Sequence, residues 1–454
     1  MQPMTPDAND PGLLDAGQVS LLSDLYELTM AASYHREDLD RPAVFELFCR
    51  HLPPHRSWLL AAGIGPSLRL ISEMRFGSPE LEYLRELEFE ESFLEYLAGF
   101  RFSGEVAAMP EGTLCFADEP LVRVTGPRIE AQLLETLLLN QINFQTMVAT
   151  KAARLVLAAG CGEPGHGERV IDFSPRRDHG LDAAMKVARC AAIAGCAGTS
   201  NVAAAQRYGL TPMGTMAHSY VLSFGSELEA FRAFLRAFPE RGVLLVDTYD
   251  IADGVRAAIE AARECGTELR GVRIDSGDLE GCARRARELL DEAGMTGTEI
   301  IVSGDLEEIR IAALVGSGAP IDRFGVGTDL GTSRDSPVVN GVYKLVADAQ
   351  PNGGWHGVRK LSADKQTLPG PKQVFRRLRG GLLAGDLVAA EDEEVEGEPL
   401  LVPFMEGGEI VRIETLEQLR ERAQASLRSL PEDLRPPEAE DGYEVQISER
   451  LRAP

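Results

Sequence analysis

Apolar positions follow two rhythms along this chain, and the change between them falls near residue 160. In the first part, "SLLSDLYELTMAASYHRE" carries Leu25, Leu28 and Ala32 at helical spacing. Ser23 or Asp24 stands where a cap for that helix is needed. "AVFELFCRHLP" reads as a strand, and "LEYLRELEFEESFLEYLAGF" as one or two Glu-rich amphipathic helices. Residues 103–127 read as short β-runs broken by Pro-Glu-Gly and Asp-Glu-Pro turns. "RIEAQLLETLLLNQINFQTMVATKAARLVLAAG" then holds a helical pattern up to Gly160.

Beyond residue 160, short apolar runs alternate with helical stretches. Candidate strands end at Asp172, Ser200, His218, Asp247, Asp275, Asp305 and Thr328, most of them 28 to 30 residues apart. Apolar runs of this length that finish in Asp, Ser or Gly are typical of parallel strands buried on both faces. Six or seven such units predict an α/β fold built on an irregular (β/α) barrel, with a doubly wound open sheet as the alternative. In either architecture the carboxyl ends of the strands share one face, so His218, Asp247, Asp275, Asp305 and Thr328 are expected at a common mouth. After Val346 the rhythm stops; turn-rich β-like segments follow, then a helix over 415–430. The expected organisation is a catalytic barrel over 136–341, with 1–135 and 342–454 forming a discontinuous outer α/β domain.

Composition narrows the function classes. The 454 residues are 44% hydrophobic and 26% charged, as in ordinary globular proteins. A formal net charge of −25 argues against nucleic acid or anionic membranes as partners, because both would be repelled. It leaves room for anionic small molecules in a local basic pocket. The acidic runs "EDEEVEGE" (391–398) and "PEDLRPPEAEDG" (431–442) read as solvated loops or tail. Seven scattered cysteines with no C-x-x-C pair point to buried thiols in a reducing compartment and not to zinc. Residues 1–17 are rich in Pro, Asp and Gly, and are expected to be loosely attached. They lack the pattern of a signal peptide, and no run is long enough to span a membrane, so a cytoplasmic location is expected.

Candidate chemistry sits at the predicted strand ends. "RFGVGTDLGTS" puts Gly325 and Gly327 before the Thr328 hydroxyl, and "VSGDL" offers Ser303, Gly304 and Asp305 one unit earlier. Glycines there let backbone N–H groups approach an anion, although they also serve plain tight turns. Two neighbouring late strand ends are a common phosphate site on barrels. In "GVRIDSGDL", Arg273 and Asp275 are two apart in a strand and so share a face. They could form a simple ion pair, or they could present a guanidinium to a ring or carboxylate and a carboxylate to ribose hydroxyls. "SPRRDHG" adds the cationic Arg176, Arg177 and His179. Walker, G-x-S-x-G and H-E-x-x-H motifs are absent from the sequence, which lowers the P-loop, serine-hydrolase and zincin classes. The residues by themselves describe a barrel enzyme that handles a phosphorylated sugar.

"DLYELTM", "GTSN", "GTMAHSY", "VDTYD", "GVRIDSGDL", "FGVGTDLGTSRDSP", "GVYKLV" and "LPGPKQVFR" follow one another in the order seen in nicotinate phosphoribosyltransferases, which this chain resembles over roughly residues 19–415. The resemblance implies a barrel of the type II phosphoribosyltransferase kind. It implies formation of nicotinate mononucleotide and pyrophosphate from nicotinate and phosphoribosyl pyrophosphate, in NAD salvage. It also implies ATP coupling of the ligase type through transient phosphorylation of His218, with Mg²⁺ accompanying the phosphorylated substrates.

By the same resemblance Thr215 and Arg273 contact nicotinate, and Asp275 binds the ribose. Gly304, Asp305, Gly325, Gly327 and Thr328 form the 5′-phosphate cradle, Ser303 is a further substrate-binding residue, and Arg176 or Arg177 meets ring or phosphate. Tyr26 reaches the site of the partner subunit in a homodimer. Ser174-Pro175 stand where many members carry a glycine after the equivalent of Phe173. A nicotinamide phosphoribosyltransferase and a catalytically silent nucleotide-binding barrel are the alternative functions. Paired arginines without an acidic partner favour the acid over the amide.

Overall fold

In the computed structural model, which describes residues 18–160, 168–351, 353–359, 367–439 and 442–452, the repeats beyond residue 160 form one parallel sheet. Its strands are β1 (Val170–Asp172), β2 (Gly198–Thr199), β3 (Val243–Leu245), β4 (Gly271–Ile274), β5 (Glu299–Ser303) and β6 (Arg323–Val326). They lie in the order β2-β1-β6-β5-β4-β3, with every pair parallel. Val170, Val272, Ile274, Ile300, Val302, Phe324 and Val326 are fully enclosed. Strands of a barrel are buried on both faces, by helices outside and by one another's side chains inside, which is why they read as continuous apolar runs without alternation.

Taken around the ring, this order is that of a barrel closed between β6 and β1 and left open between β2 and β3. The opening corrects one expectation. Residues 213–217 were expected to be a strand ending at His218, but no strand is present there. The segment makes one bridge to the free edge of β2, at Thr199 and Pro212. Thr199 N–H donates to Thr211 O (3.1 Å), and Met213 N–H donates to Thr199 O (2.9 Å). Pro212 between them has no N–H and cannot extend the ladder. His218 therefore opens a short helix, His218–Val221, and does not close a strand.

Contacts divide the described chain into two compact units. The sheet belongs to the unit made of Met147–Pro337 and Leu416–Glu440. In it the helix Leu416–Arg428 packs on Leu181–Ala194. The other unit takes the described residues of Met1–Thr146, Val338–Thr415 and Asp441–Pro454. It holds a seven-stranded antiparallel sheet in which Pro42–Cys49 lies between Gly341–Ala349 and Pro120–Pro127, so distant parts of the chain alternate within one sheet. A four-stranded sheet centres on Lys372–Arg379 and Leu382–Ala390. The acidic run at 391–398 is not wholly solvated. Glu391 pairs with Arg123, Asp392 lies 2.8 Å from Arg450, and Glu393 accepts from the Ser448 hydroxyl at 2.8 Å.

The long helical pattern before Gly160 divides into Arg128–Gln132 and Glu135–Ala158. The Glu-rich stretch forms two helices, Ser78–Glu86 and Glu91–Ala98. Asp24 caps the first helix by position only, while Ser23 donates to Glu27 at 2.9 Å. Expectations for residues 1–17 and for Cys161 fall outside the described residues; no disulfide joins the six described cysteines to one another. Among the described residues, no helix is long and apolar enough to cross a membrane.

Candidate functional site

The carboxyl ends of β3, β4 and β5 are joined by a small polar network. Asp247, two residues past β3, takes the Asp275 N–H and the Ser276 hydroxyl on one carboxylate oxygen, each at 2.8 Å. Its other oxygen, Oδ1, is buried, has no hydrogen-bond partner among the described residues, and lies 3.8 Å from His218 Nε2. His218 Nδ1 lies 3.1 Å from the Thr248 hydroxyl. The imidazole is 38% exposed and so remains accessible from solvent. The helix-opening histidine thus reaches β3 across the gap in the barrel, through its side chain alone. Asp275 in turn accepts from the hydroxyl of Ser303, the last residue of β5.

Arg273 shares its face with Asp275, as its spacing along the strand requires; the two side chains are 4.0 Å apart. Its guanidinium is 14% exposed and lies 6.0 Å from the Phe173 ring centre, and its Nε has no hydrogen-bond partner among the described residues. Burial pulls its pKa down, the carboxylates of Asp275 and Asp247 oppose this, and the positive charge of Arg176 adds to the lowering. A mostly buried cation with an unused donor is suited to an anionic group brought in by a ligand. The Arg176 charge is thus felt at Arg273. Arg177 is also exposed, and its N–H closes a turn on Ser174 O at 2.6 Å.

The glycines at the next two strand ends do different work. Gly304 is left-handed at φ +94°, and a β-carbon there would sit 2.0 Å from the Asp275 carbonyl oxygen. Asp305 follows at φ +45°. At Gly325 the space of a side chain is taken by the Phe173 ring, 2.4 Å from where a β-carbon would be. Gly327 and the exposed Thr328 open the short helix Thr328–Thr332. Thr215 is half-buried beside His218 in sequence, with its hydroxyl taking the Met216 N–H. Tyr26 belongs to the other unit, on Leu25–Arg36, and is 46% exposed. Burial and the Glu135 carboxylate hold its hydroxyl well above the usual tyrosine range.

Sequence reasoning passed over Phe173 and the hydrogen-bonded group beneath it. Asp172 accepts from the Ser174 hydroxyl (2.6 Å) and N–H (2.9 Å) and from the Thr199 hydroxyl (2.6 Å). Asp178, 3.2 Å from the same Ser174 hydroxyl, is pushed up to about 6 by burial and then by the Asp172 charge. Ser174, which stands where a glycine was expected from the resemblance, is therefore a hydrogen-bonding hub. Its signal in sequence was only that departure.

For a divalent cation the donor set is thin. Among the described residues, no three His, Cys, Asp or Glu side chains are arranged to hold a metal. The open Oδ1 of Asp247 and the carboxylate of Asp275 suit Mg²⁺ bound through one or two carboxylates and substrate oxygens, and not an all-protein cage.

A parallel sheet in barrel order, with an arginine, carboxylates and glycines gathered at its carboxyl ends, defines an enzyme-like α/β barrel of the type II phosphoribosyltransferase fold. The comparisons carry this further. Family profiles for the nicotinate phosphoribosyltransferase N-terminal domain, the nicotinate phosphoribosyltransferase family, and the nicotinate phosphoribosyltransferase C-terminal domain match residues 21–143, 169–360 and 389–453. The chain is 47% identical to Mycobacterium tuberculosis nicotinate phosphoribosyltransferase pncB2, over 95% of this chain and 92% of that protein. It is 41% identical to the Bacillus subtilis nicotinate phosphoribosyltransferase, over 85% and 79%. The crystal structure of human nicotinic acid phosphoribosyltransferase superposes with a TM-score of 0.81 at 29% identity, covering 95% of this chain and 98% of that one. The chain belongs to the nicotinate phosphoribosyltransferase family.

Proposed function

We propose that this protein joins nicotinate to the ribose of phosphoribosyl pyrophosphate, forming nicotinate mononucleotide and pyrophosphate, and that it couples the reaction to hydrolysis of ATP. The observation that carries the reading is Arg273, a mostly buried cation with an unused Nε, set against the Phe173 ring and beside Asp275. The nicotinate carboxylate would pair with Arg273 and Arg176, with the pyridine ring against Phe173, and Thr215 would complete the pocket. In the transfer, the pyridine nitrogen forms a bond to the anomeric carbon as the bond from that carbon to the pyrophosphate oxygen breaks, and the electron pair leaves with pyrophosphate. The centre is oxocarbenium-like, so the protein contributes placement and charge more than proton transfer.

Asp275, held by Ser303, would fix the ribose hydroxyls. Gly304, Asp305, Gly325, Gly327 and Thr328 would surround the 5′-phosphate. Asp275 would be the protein carboxylate that holds Mg²⁺, whose charge would offset that of the leaving pyrophosphate. For ATP coupling, an unprotonated His218 nitrogen attacks the γ-phosphorus and ADP leaves; water later releases phosphate from the phosphohistidine. The open oxygen of Asp247 would orient the imidazole and stabilise the charge it develops. We further propose a homodimer in which Tyr26 serves the partner's site, and a role in NAD salvage in the cytoplasm. The test is product identification with nicotinate and nicotinamide in competition, with and without ATP. Nicotinate mononucleotide as the main product, with yield raised by ATP, is expected; better use of nicotinamide overturns the assignment.

A further inference from the structure

Lys151 is enclosed completely in a helix whose neighbouring positions Val148, Ala149, Ala152 and Ala153 are core. An isolated ammonium there would be strongly destabilising, and three carboxylates surround it, of which Glu308 and Asp335 accept hydrogen bonds from it. Glu308 is in contact, Asp329 lies at 2.7 Å and Asp335 at 3.0 Å. These acids come from the segments that follow the two glycine-bearing strand ends. Glu308 opens the helix after Gly304-Asp305, and Asp329 is the residue after Thr328. The first loop is tied further. Glu307 caps that helix through the Ile309 and Arg310 N–H groups, each at 2.8 Å, and the Arg310 guanidinium donates to Gly304 O at 3.1 Å. Arg154 on Glu308 (3.0 Å) and Arg334 on Asp329 (3.3 Å) bring the cluster to three cations against three anions.

We infer that Lys151 is a positioning residue for phosphate binding, an inference that rests on the phosphoribosyl-transfer reading above. It holds the loops after β5 and β6 at one spacing. Together with Arg154 and Arg334 it also offsets the charge of three carboxylates that would otherwise repel a dianionic phosphate placed between those loops.

The test compares wild type, Lys151→Met, Lys151→Arg and Asp335→Asn in KM for phosphoribosyl pyrophosphate, KM for nicotinate, inhibition by inorganic phosphate, and thermal midpoint. Lys151→Met is expected to raise the KM for phosphoribosyl pyrophosphate and the inhibition constant of phosphate by at least about tenfold, with the nicotinate KM within about twofold. Lys151→Arg is expected to recover most of the loss. Asp335→Asn, which frees the most exposed leg, is expected to give a smaller rise in the same two constants and keeps the test decisive should Lys151→Met not fold. Equal changes in both KM values, or a lowered midpoint with unchanged phosphate affinity, overturn the inference. A wild type that makes no nucleotide from these substrates overturns the functional reading instead.

Discussion

Replacing Gly304 by alanine tests the geometry of the site most directly. The residue is held at φ +94°, and its new β-carbon would lie 2.0 Å from the Asp275 carbonyl oxygen, about 1.4 Å inside ordinary contact. Left-handed backbone costs a non-glycine residue roughly 1 to 2 kcal/mol. Overpacking against backbone adds roughly 1 to 3 kcal/mol, so a loss of about 2 to 5 kcal/mol of stability is expected. Relief requires the β4 end carrying Asp275 to separate from the β5 end carrying Ser303, by a distance near 1 Å. A displacement of that size costs roughly a hundredfold in rate where positioning dominates. Steady-state kinetics and denaturant unfolding of Gly304→Ala should therefore show kcat/KM down about a hundredfold together with the stability loss. Gly318→Ala is the control. It is also left-handed, at φ +65°, but has open space around its β position, so only the backbone cost should appear and activity should hold. Full activity in Gly304→Ala would refute the claim that Asp275 placement depends on this close approach.

His218→Ala is expected to abolish nicotinate-dependent ATP hydrolysis while leaving a slow, ATP-independent transfer; unchanged ATP hydrolysis in that variant removes the role given to the histidine. Arg176→Ala should raise the nicotinate KM about tenfold, and Arg177→Ala less than about threefold, because of the two arginines it is Arg176 whose charge acts on Arg273. Asp178 holds its proton more tightly in the folded protein, with a pKa pushed from 3.8 to about 6. Its contribution to stability is thus complete below the unfolded value and is lost as pH rises through about 6. Asp178→Asn should flatten that fall by roughly 1 kcal/mol after allowance for solvent screening, read from denaturant midpoints across pH 4 to 7.

The parallel βα texture was legible because it is local. Strands buried on both faces must be apolar throughout, and loops at their carboxyl ends must turn within a few residues. Arg273 and Asp275 were placed on one face by the two-residue period alone. The ordered motifs likewise carried the family, which the comparisons bear out over most of the chain. What local pattern could not state was pairing. Pro212 and the single bridge at Thr199 leave the barrel open beside β2, and that turns His218 from an expected strand end into a helix start. The helix at 415–430 was evident from its period, but only packing joins Leu416–Arg428 to the barrel unit.

The same limit explains the residues that went unnoticed. Phe173 matters because Gly325, 152 positions further along the chain, leaves room for its ring. Lys151 is an anomaly in an apolar helix until Glu308, Asp329 and Asp335 arrive around it. The sequence by itself determined most of the elements, the class of fold and most of the reactive side chains, since periodicity and turn chemistry act between near neighbours. The tertiary structure decided which of those side chains meet, because packing and charge balance act between residues that are close in space and far apart along the chain.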